Sequence, residues 1–179
     1  MIVTIDPLMR AFATAIGKER HRQNLARGIR DAKKAKAPGE VLNIVGALGE
    51  TATAIGFGLD IEQIRYDRPG YDEAAVDFLL PSGATLQVKT PTRPRLNLIM
   101  SRRAALSERH ADYLLLVDLY DDRADLFGWM AWERFRTVGG YVPPLPPDCF
   151  GVERHLLMRV GDAVPEWAAS SVPVRRRTG

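Results

Sequence analysis

Cysteine is nearly absent from this chain of 179 residues, and histidine is scarce. The single Cys149 excludes an intramolecular disulfide, so we expect a cytoplasmic protein in a reducing environment. The three histidines, His21, His110 and His155, lack the His-Glu-x-x-His spacing of zinc enzymes, and one cysteine cannot complete a zinc cage. These absences argue against a disulfide scaffold and against a zinc site.

The chain also lacks long apolar runs and the short motifs of two large enzyme classes. No run approaches the ~20 apolar residues that cross a bilayer, so we expect no membrane partner. There is neither a Gly-x-x-x-x-Gly-Lys-Ser/Thr phosphate loop nor a Gly-x-Ser-x-Gly nucleophile elbow. The hydrophobic fraction of 46% and the charged fraction of 26% are typical of a globular protein. The length predicts one domain over residues 1–169 and a disordered basic tail at 170–179.

Residues 76–89 alternate apolar and polar side chains on both sides of a turn, which predicts a β-hairpin. One face carries Val76, Phe78, Leu80, Leu86 and Val88, and the other carries Asp77, Leu79, Gln87 and Lys89. A three-residue loop at 82–84 would place Asp77 opposite Lys89 and Leu79 opposite Gln87. A carboxylate, an amide oxygen and an ammonium group on one face can bind a hard cation and orient a water molecule. The alternative interpretation is a surface hairpin whose polar face meets solvent.

Glu50 is the only charged residue between positions 41 and 59. The apolar residues of this segment recur at helical spacing, and they are Val41, Ile44, Val45, Leu48, Ala52 and Ile55. Glu50 projects nearly opposite that stripe, between small neighbours, so we expect protein on both sides of the helix. A carboxylate buried there needs a partner, which a metal cation or a lysine would supply. The alternative is an exposed Glu on a mobile helix. The glycines at 56 and 58 predict the end of the helix.

The remaining pattern predicts further helices and strands around this core. We expect a basic amphipathic helix over residues 7–36, a strand near 61–66, a short helix near 102–109, an inner strand at 111–120, a strand at 125–132 and a last strand at 152–160. The expected division is a basic helix at 7–36, a core at 40–135 and a C-terminal elaboration at 136–169. The sequence therefore predicts an α/β protein with a central mixed β-sheet flanked by helices.

Basic residues are distributed unevenly, although the net charge is only +3. A group that follows Lys89 comprises Arg93, Arg95, Arg102 and Arg103. Arginine binds phosphate oxygens in a bidentate geometry, and clustered cations supply most of the affinity for nucleic-acid backbones. We therefore expect DNA to be bound mainly through its phosphates. The alternative for each charge run is a solvated helix face or a tail.

The helical Glu50, Asp77 at the end of one strand and Gln87-x-Lys89 on the next resemble the PD-(D/E)XK nuclease superfamily, which has the restriction-endonuclease-like fold. The resemblance covers roughly residues 40–135 and includes the apolar strand at 111–117 and the Gly128-Trp129 pair. Val76 stands where the proline of the family motif would be, and Gln87 stands where a carboxylate is usual.

The resemblance implies a role for each matching residue. Asp77 and Glu50 would bind Mg²⁺, for which Mn²⁺ would substitute, and Gln87 would offer a neutral oxygen. Val88 would contribute its main-chain carbonyl, and Lys89 would position or polarise the attacking water. The implied function is metal-dependent hydrolysis of phosphodiester bonds in DNA by a Mg²⁺-activated water.

Two alternatives stay open from the sequence. The first is a weakened or inactive module of the same fold that binds DNA or a protein partner. The second is an interaction protein in which Glu50, Asp77 and Lys89 form only a structural ion pair. The sequence also leaves open whether the chain forms a homodimer.

Overall fold

The computed structural model describes residues 1–28, 38–64, 76–94, 96–107, 110–140, 149–161 and 165–168, apart from the side chain of Arg103. The helices are α1 (Pro7–Ala26), α2 (Gly39–Phe57), α3 (Arg102–Ala105) and α4 (Trp132–Val138). The strands are β1 (Ile2–Thr4), β2 (Phe78–Leu79), β3 (Thr85–Lys89), β4 (Leu98–Ser101), β5 (Tyr113–Leu119), β6 (Arg123–Ala131), β7 (Cys149–Val152) and β8 (Met158–Arg159). The predicted α/β class with a mixed sheet flanked by helices is confirmed.

The main sheet has the strand order β1-β6-β5-β3-β2, and β8 also pairs with β6. Strands β3 and β5 are parallel, whereas β2–β3 and β5–β6 are antiparallel. A separate pair, β4 with β7, lies beyond this sheet. The parallel β3–β5 pair at the centre requires a long crossover, which here runs through β4 and α3.

The two faces of the main sheet cover two separate apolar cores. In the first, Leu115 and Val117 of β5 pack with α1 and α2. In the second, Leu114 and Leu116 pack with β4, α4 and β7, because alternate residues of a strand face opposite sides. Residues 113–119 are therefore covered on both faces, as the apolar pattern of this segment predicted.

A β-bulge at Phe127 changes which residues of β6 face each core. Leu116 pairs with Gly128, but Val117 pairs with Leu126, so Phe127 is the additional residue. Leu126 therefore belongs to the first core and Met130 to the second, although both positions are even-numbered. The extra residue of a bulge reverses the alternation of the strand beyond it.

Helix α1 is shorter than the predicted helix at 7–36. The Asp6 side chain accepts a hydrogen bond from Met9 N at 2.7 Å, and Pro7 begins the helix. The helix ends at Ala26, and Gly28 has a φ of 69°. The prediction of one helix continuing to residue 36 was wrong, because a residue with a positive φ does not continue an α-helix. Residues 29–37 lie outside the described part. Helix α2 ends as predicted, at Gly58 with a φ of 64°.

Other differences concern short elements. The predicted strand near 61–66 begins as a 3-10 turn, Ile61–Gln63, and residues 65–75 lie outside the described part. The predicted last strand at 152–160 is interrupted by the 3-10 turn Arg154–Leu156 between β7 and β8. The loop and tail predicted at 142–148 and 170–179 are also outside the described residues. In the described part of the chain, no helix is long and apolar enough to span a bilayer.

Candidate active site

The β2–β3 hairpin has a different register from the predicted one. Phe78 pairs with Leu86, and Leu80 N donates a hydrogen bond to Ala84 O at 2.8 Å. The loop therefore contains residues 81–83, and Gly83 at its end has a φ of 86°. Because Gly83 supplies the positive φ that closes the loop, pairing resumes at Ala84. The prediction that Asp77 lies opposite Lys89 and Leu79 opposite Gln87 was wrong.

Asp77 is attached to the middle of β3 by its backbone and its side chain. Its backbone N donates to Leu86 O at 2.8 Å, and its Oδ2 accepts a hydrogen bond from Val88 N at 2.6 Å. The Asp77 carboxylate thus accepts the hydrogen bond that a backbone carbonyl of a neighbouring strand would otherwise accept. It does so at the edge of β3 that faces away from β5. Because the N–H and C=O of a strand residue point to the same side, the Val88 carbonyl is directed to the edge where Asp77 lies.

Gln87 and Lys89 flank this attachment point on β3. Their register partners on β5 are Leu114 and Leu116, whose side chains lie in the second core. Asp77 is 6% exposed and Gln87 is 7% exposed, while Lys89 is half-buried. The alternative of a hairpin with a solvent-facing polar surface is therefore wrong for Asp77 and Gln87.

Glu50 is buried in α2 and paired with Arg20 of α1. Arg20 Nη1 and Nη2 donate to Glu50 Oε1 and Oε2 at 3.0 and 2.8 Å, and the two residues are 5% and 4% exposed. The helices can approach because Gly17 faces Ile44, where a Cβ at Gly17 would lie 2.5 Å from Ile44 Cα. The predicted need for a partner is confirmed and the exposed-Glu alternative is wrong, but the cation is an arginine.

The sequence analysis did not identify Arg20 as the partner of Glu50, although the sequence contains a pattern that indicates its burial. The buried residues of α1 are Met9, Ala13, Ile16, Gly17 and Arg20, which recur at helical spacing. An arginine that continues an apolar stripe is buried with it, and a buried guanidinium requires an acidic partner. Glu50 is the matching charge on the neighbouring helix.

Helix α2 meets the end of β3 at a close contact between Gly49 and Thr90. A Cβ at Gly49 would lie 1.9 Å from Thr90 Oγ1, so the threonine fills the space of the missing side chain. This contact lies next to Glu50 in α2 and next to Lys89 in β3. However, α2 packs on the Val88 face of the sheet, and strand alternation directs Lys89 to the opposite face.

The hairpin residues fit a hard cation in their donor chemistry. Asp77, Gln87 and the Val88 carbonyl offer only oxygen, which Mg²⁺ prefers, and one carboxylate completed by waters and phosphate is a common Mg²⁺ site. The Glu50 carboxylate is engaged by Arg20 instead. Within the described residues, no three His, Cys, Asp or Glu side chains form a group that could hold a metal. The structure therefore brings Asp77, Gln87, Val88 and Lys89 together, and Glu50 lies on α2, which packs on the Val88 face of the sheet.

The arginines predicted to bind DNA lie on the route that leaves β3. Arg93 is exposed in the connection between β3 and β4, and Arg102 is exposed at the start of α3. Arg95 and the side chain of Arg103 lie outside the described part. Both described arginines present their charge to solvent, as phosphate binding requires.

A second ion pair, between the buried Asp118 and the half-buried Arg154, was not predicted. Asp118 is 0% exposed and accepts from Arg154 Nη1 and Nη2 at 3.0 and 2.7 Å. It lies two residues after Leu116, the register partner of Lys89, and therefore faces the same side of the sheet as Lys89. The signal was a single aspartate within an otherwise apolar inner strand, which requires a cationic partner as Glu50 does.

Two pKa values are lowered by hydrogen bonds at the surface. Thr85 donates its hydroxyl and its backbone N–H to Asp112 Oδ2, both at 2.8 Å, and this lowers the pKa of the Asp112 carboxyl. The side-chain hydrogen bonds of Arg22, and then of Gln23, lower the pKa of Glu19 to about 2. The Asp112 contacts join Thr85, the first residue of β3, to the residue just before β5 and so fix the start of the parallel pair.

Comparison of the chain with models of protein families, with curated proteins and with solved structures gives no match.

Proposed function

We propose that this protein is a Mg²⁺-dependent nuclease with a restriction-endonuclease-like fold, which hydrolyses phosphodiester bonds in DNA. The observation that carries the proposal is the hydrogen bond of 2.6 Å from Val88 N to Asp77 Oδ2. It holds a buried carboxylate against the backbone between Gln87 and Lys89. The order of elements supports the fold, because α2 precedes an antiparallel hairpin whose second strand lies parallel to β5.

Four residues of the hairpin have a role in this proposal. Asp77, the Gln87 amide oxygen and the Val88 carbonyl would hold Mg²⁺, which when bound neutralises phosphate charge and lowers the pKa of water. The Lys89 ammonium donates hydrogen bonds to a phosphate oxygen. Burial of Asp77 and Gln87 excludes water from one side of the site, so the charges there interact more strongly than in bulk solvent. Arg93 and Arg102 contact neighbouring phosphates.

A second candidate is a weakened or inactive module of the same fold that binds DNA or a protein partner. The Arg20–Glu50 pair favours it, because both oxygens of the helical carboxylate are bound by a guanidinium. Gln87 also leaves the hairpin with one negative charge fewer than the related nucleases would have. A cytoplasmic location and a homodimer stay predictions from the sequence.

The test is cleavage of supercoiled, linear and branched DNA in Mg²⁺, Mn²⁺ or EDTA. We expect the wild type to cut with either metal and not in EDTA. Asp77→Asn should abolish cleavage, and Lys89→Ala should stop cleavage while weakening DNA binding far less. Asp122→Asn is the matched control, since it makes the same chemical change on an exposed turn.

Equal cleavage by the Asp77→Asn and Asp122→Asn variants would remove Asp77 from the site. DNA binding without cleavage in every metal would favour the second candidate. Isothermal titration of Mn²⁺ into both variants separates the two, because the nuclease proposal requires Asp77→Asn alone to lose the metal.

A further inference from the structure

Arg154 connects the sheet to the segment that leaves the candidate active site. Besides its bidentate pair with Asp118, its Nη1 donates to Leu96 O at 3.1 Å, and its backbone N donates to Asn97 Oδ1 at 3.2 Å. The guanidinium also stacks on the Phe127 ring, with Cζ 3.5 Å from the ring centroid. One side chain therefore holds Leu96, two residues before β4 begins, against β5 and β6.

The other end of the same segment is fixed by α2. Thr90 follows Lys89 directly, and its side chain occupies the space beside Gly49. The β3–β4 connection, defined here as residues 90–94 and 96–97, is thus anchored at Thr90 and again at Leu96 and Asn97. Between these anchors lies Arg93, which is exposed.

We propose that the β3–β4 connection is a preorganised phosphate-binding segment and that Arg154 is its positioning residue. The segment would receive a phosphate of the DNA next to the one at Lys89, so the inference rests on the function proposed above. A cation on an anchored segment binds more tightly than one on a free loop, because less conformational entropy is lost on binding. Arg154 itself is held by Asp118 and acts through Arg93.

The experiment measures binding of a short fluorescent DNA duplex in EDTA, where cleavage is absent, over a range of salt concentrations. Arg93→Ala should flatten the slope of log affinity against log salt by about 0.9, the value for one phosphate contact. Arg154→Met should flatten it by a similar amount. The Arg93→Ala/Arg154→Met double variant should lose no more than either single one, because both changes remove the same contact.

The Asp118→Asn variant distinguishes an effect of Arg154 positioning on DNA affinity from an effect of the net charge of the protein. It raises the net charge by one unit, so a protein bound only by its overall charge would bind DNA more tightly. We expect weaker binding and a flatter slope instead, because the carboxylate that orients Arg154 is gone. Arg154→Lys should behave as Arg154→Met does, since lysine keeps the charge but not the bidentate pair. Thermal unfolding in the same buffer checks that each variant is folded.

Arg159→Met is the matched control. Arg159 stacks on the same ring, with Cζ 3.9 Å from the Phe127 centroid, but it is exposed and its only acidic contact among the described residues is Asp125 at 3.9 Å. Its effect on binding should add to that of Arg93→Ala. Additive effects of Arg93→Ala and Arg154→Met, or tighter binding by Asp118→Asn, would overturn the inference.

The salt-dependence experiment and the cleavage test can fail independently of each other. Loss of the expected slopes with cleavage intact would overturn only the role of the connection. The expected slopes without cleavage in any metal would overturn only the nuclease proposal. Wild-type affinity that does not change with salt would overturn both the connection and the binding of DNA through phosphates.

Discussion

The Arg20 guanidinium binds both oxygens of the Glu50 carboxylate, at 3.0 and 2.8 Å, and so joins α1 to α2. Both residues are buried, and two charges removed from water are stable only when each compensates the other. The pair therefore explains why a charged carboxylate can be buried among the small residues of α2. It also means that both oxygens of the Glu50 carboxylate accept hydrogen bonds from a guanidinium.

Loss of Arg20 should be costly to the fold. Arg20→Met leaves Glu50 as a buried, uncompensated charge and should lower the free energy of unfolding by about 3–5 kcal/mol. The Arg20→Met/Glu50→Met double variant should recover most of this loss. Arg22→Met is the control on the same helix, where the pair with Glu19 is exposed and little should change. Urea denaturation of the four proteins measures the differences.

The same variant tests whether Glu50 takes part in metal binding. If Glu50 is a metal ligand, Mn²⁺ should raise the melting temperature of Arg20→Met more than that of the wild type, since a ligand stabilises the state that binds it. Equal shifts in the two proteins would assign Glu50 a structural role only.

Gly49 should tolerate no side chain. In Gly49→Ala the new Cβ would lie 1.9 Å from Thr90 Oγ1, so the contact between α2 and β3 must open, at a cost of about 1–3 kcal/mol. Gly46→Ala, on the same helix, meets nothing within 4 Å and should stabilise the protein by up to about 1 kcal/mol. Thermal unfolding of both variants checks the prediction, which fails if the two changes act alike.

Asp112 should contribute to the acid stability of the protein. Its pKa is lower in the folded state than in the unfolded chain, chiefly because the Thr85 hydroxyl donates to it. Its contribution is therefore complete above the unfolded value of about 3.9 and is lost as the pH falls through the lower, folded value. Asp112→Ala should be less stable than the wild type at pH 7, and the difference should shrink below about pH 4. A constant difference at every pH would contradict this origin.

Gln87→Glu distinguishes a working site from a decayed one. The new carboxylate would be buried two residues from Lys89, so the variant should be less stable than the wild type in EDTA and should bind Mn²⁺ more tightly. A working nuclease should keep measurable cleavage in the variant. A site that decayed through this one charge should gain cleavage that the wild type lacks.

Thermal-shift and plasmid-nicking assays with the two proteins side by side provide the measurement for Gln87→Glu. If neither protein cuts DNA and Mn²⁺ raises the melting temperature of neither, the hairpin residues are structural. That outcome would end the nuclease proposal, whatever the result for the β3–β4 connection.

The parts of the site that follow from local pattern could be predicted. Alternation of apolar and polar residues identified the hairpin and placed Gln87 and Lys89 together. The isolated charge of Glu50 predicted a buried carboxylate with a partner. The register of Asp77 could not be predicted, since it depends on whether Gly83 or Ala84 closes the loop. Strands β1 and β4 were missed because strands of three or four residues are stabilised mainly by pairing with distant segments.

The sequence by itself determined the secondary structure with the strongest periodicity, the helix that carries Glu50 and the apolar inner strand, because those patterns depend on neighbouring residues only. The tertiary structure alone decided which charges meet. Arg20 reaches Glu50 through the close approach of two helices, and Arg154 reaches Asp118 from 36 residues away in the chain. The bulge at Phe127 likewise reverses the faces of β6 only through its register with β5. Burial makes each buried charge require a partner, but only the packing of distant elements selects which residue supplies it.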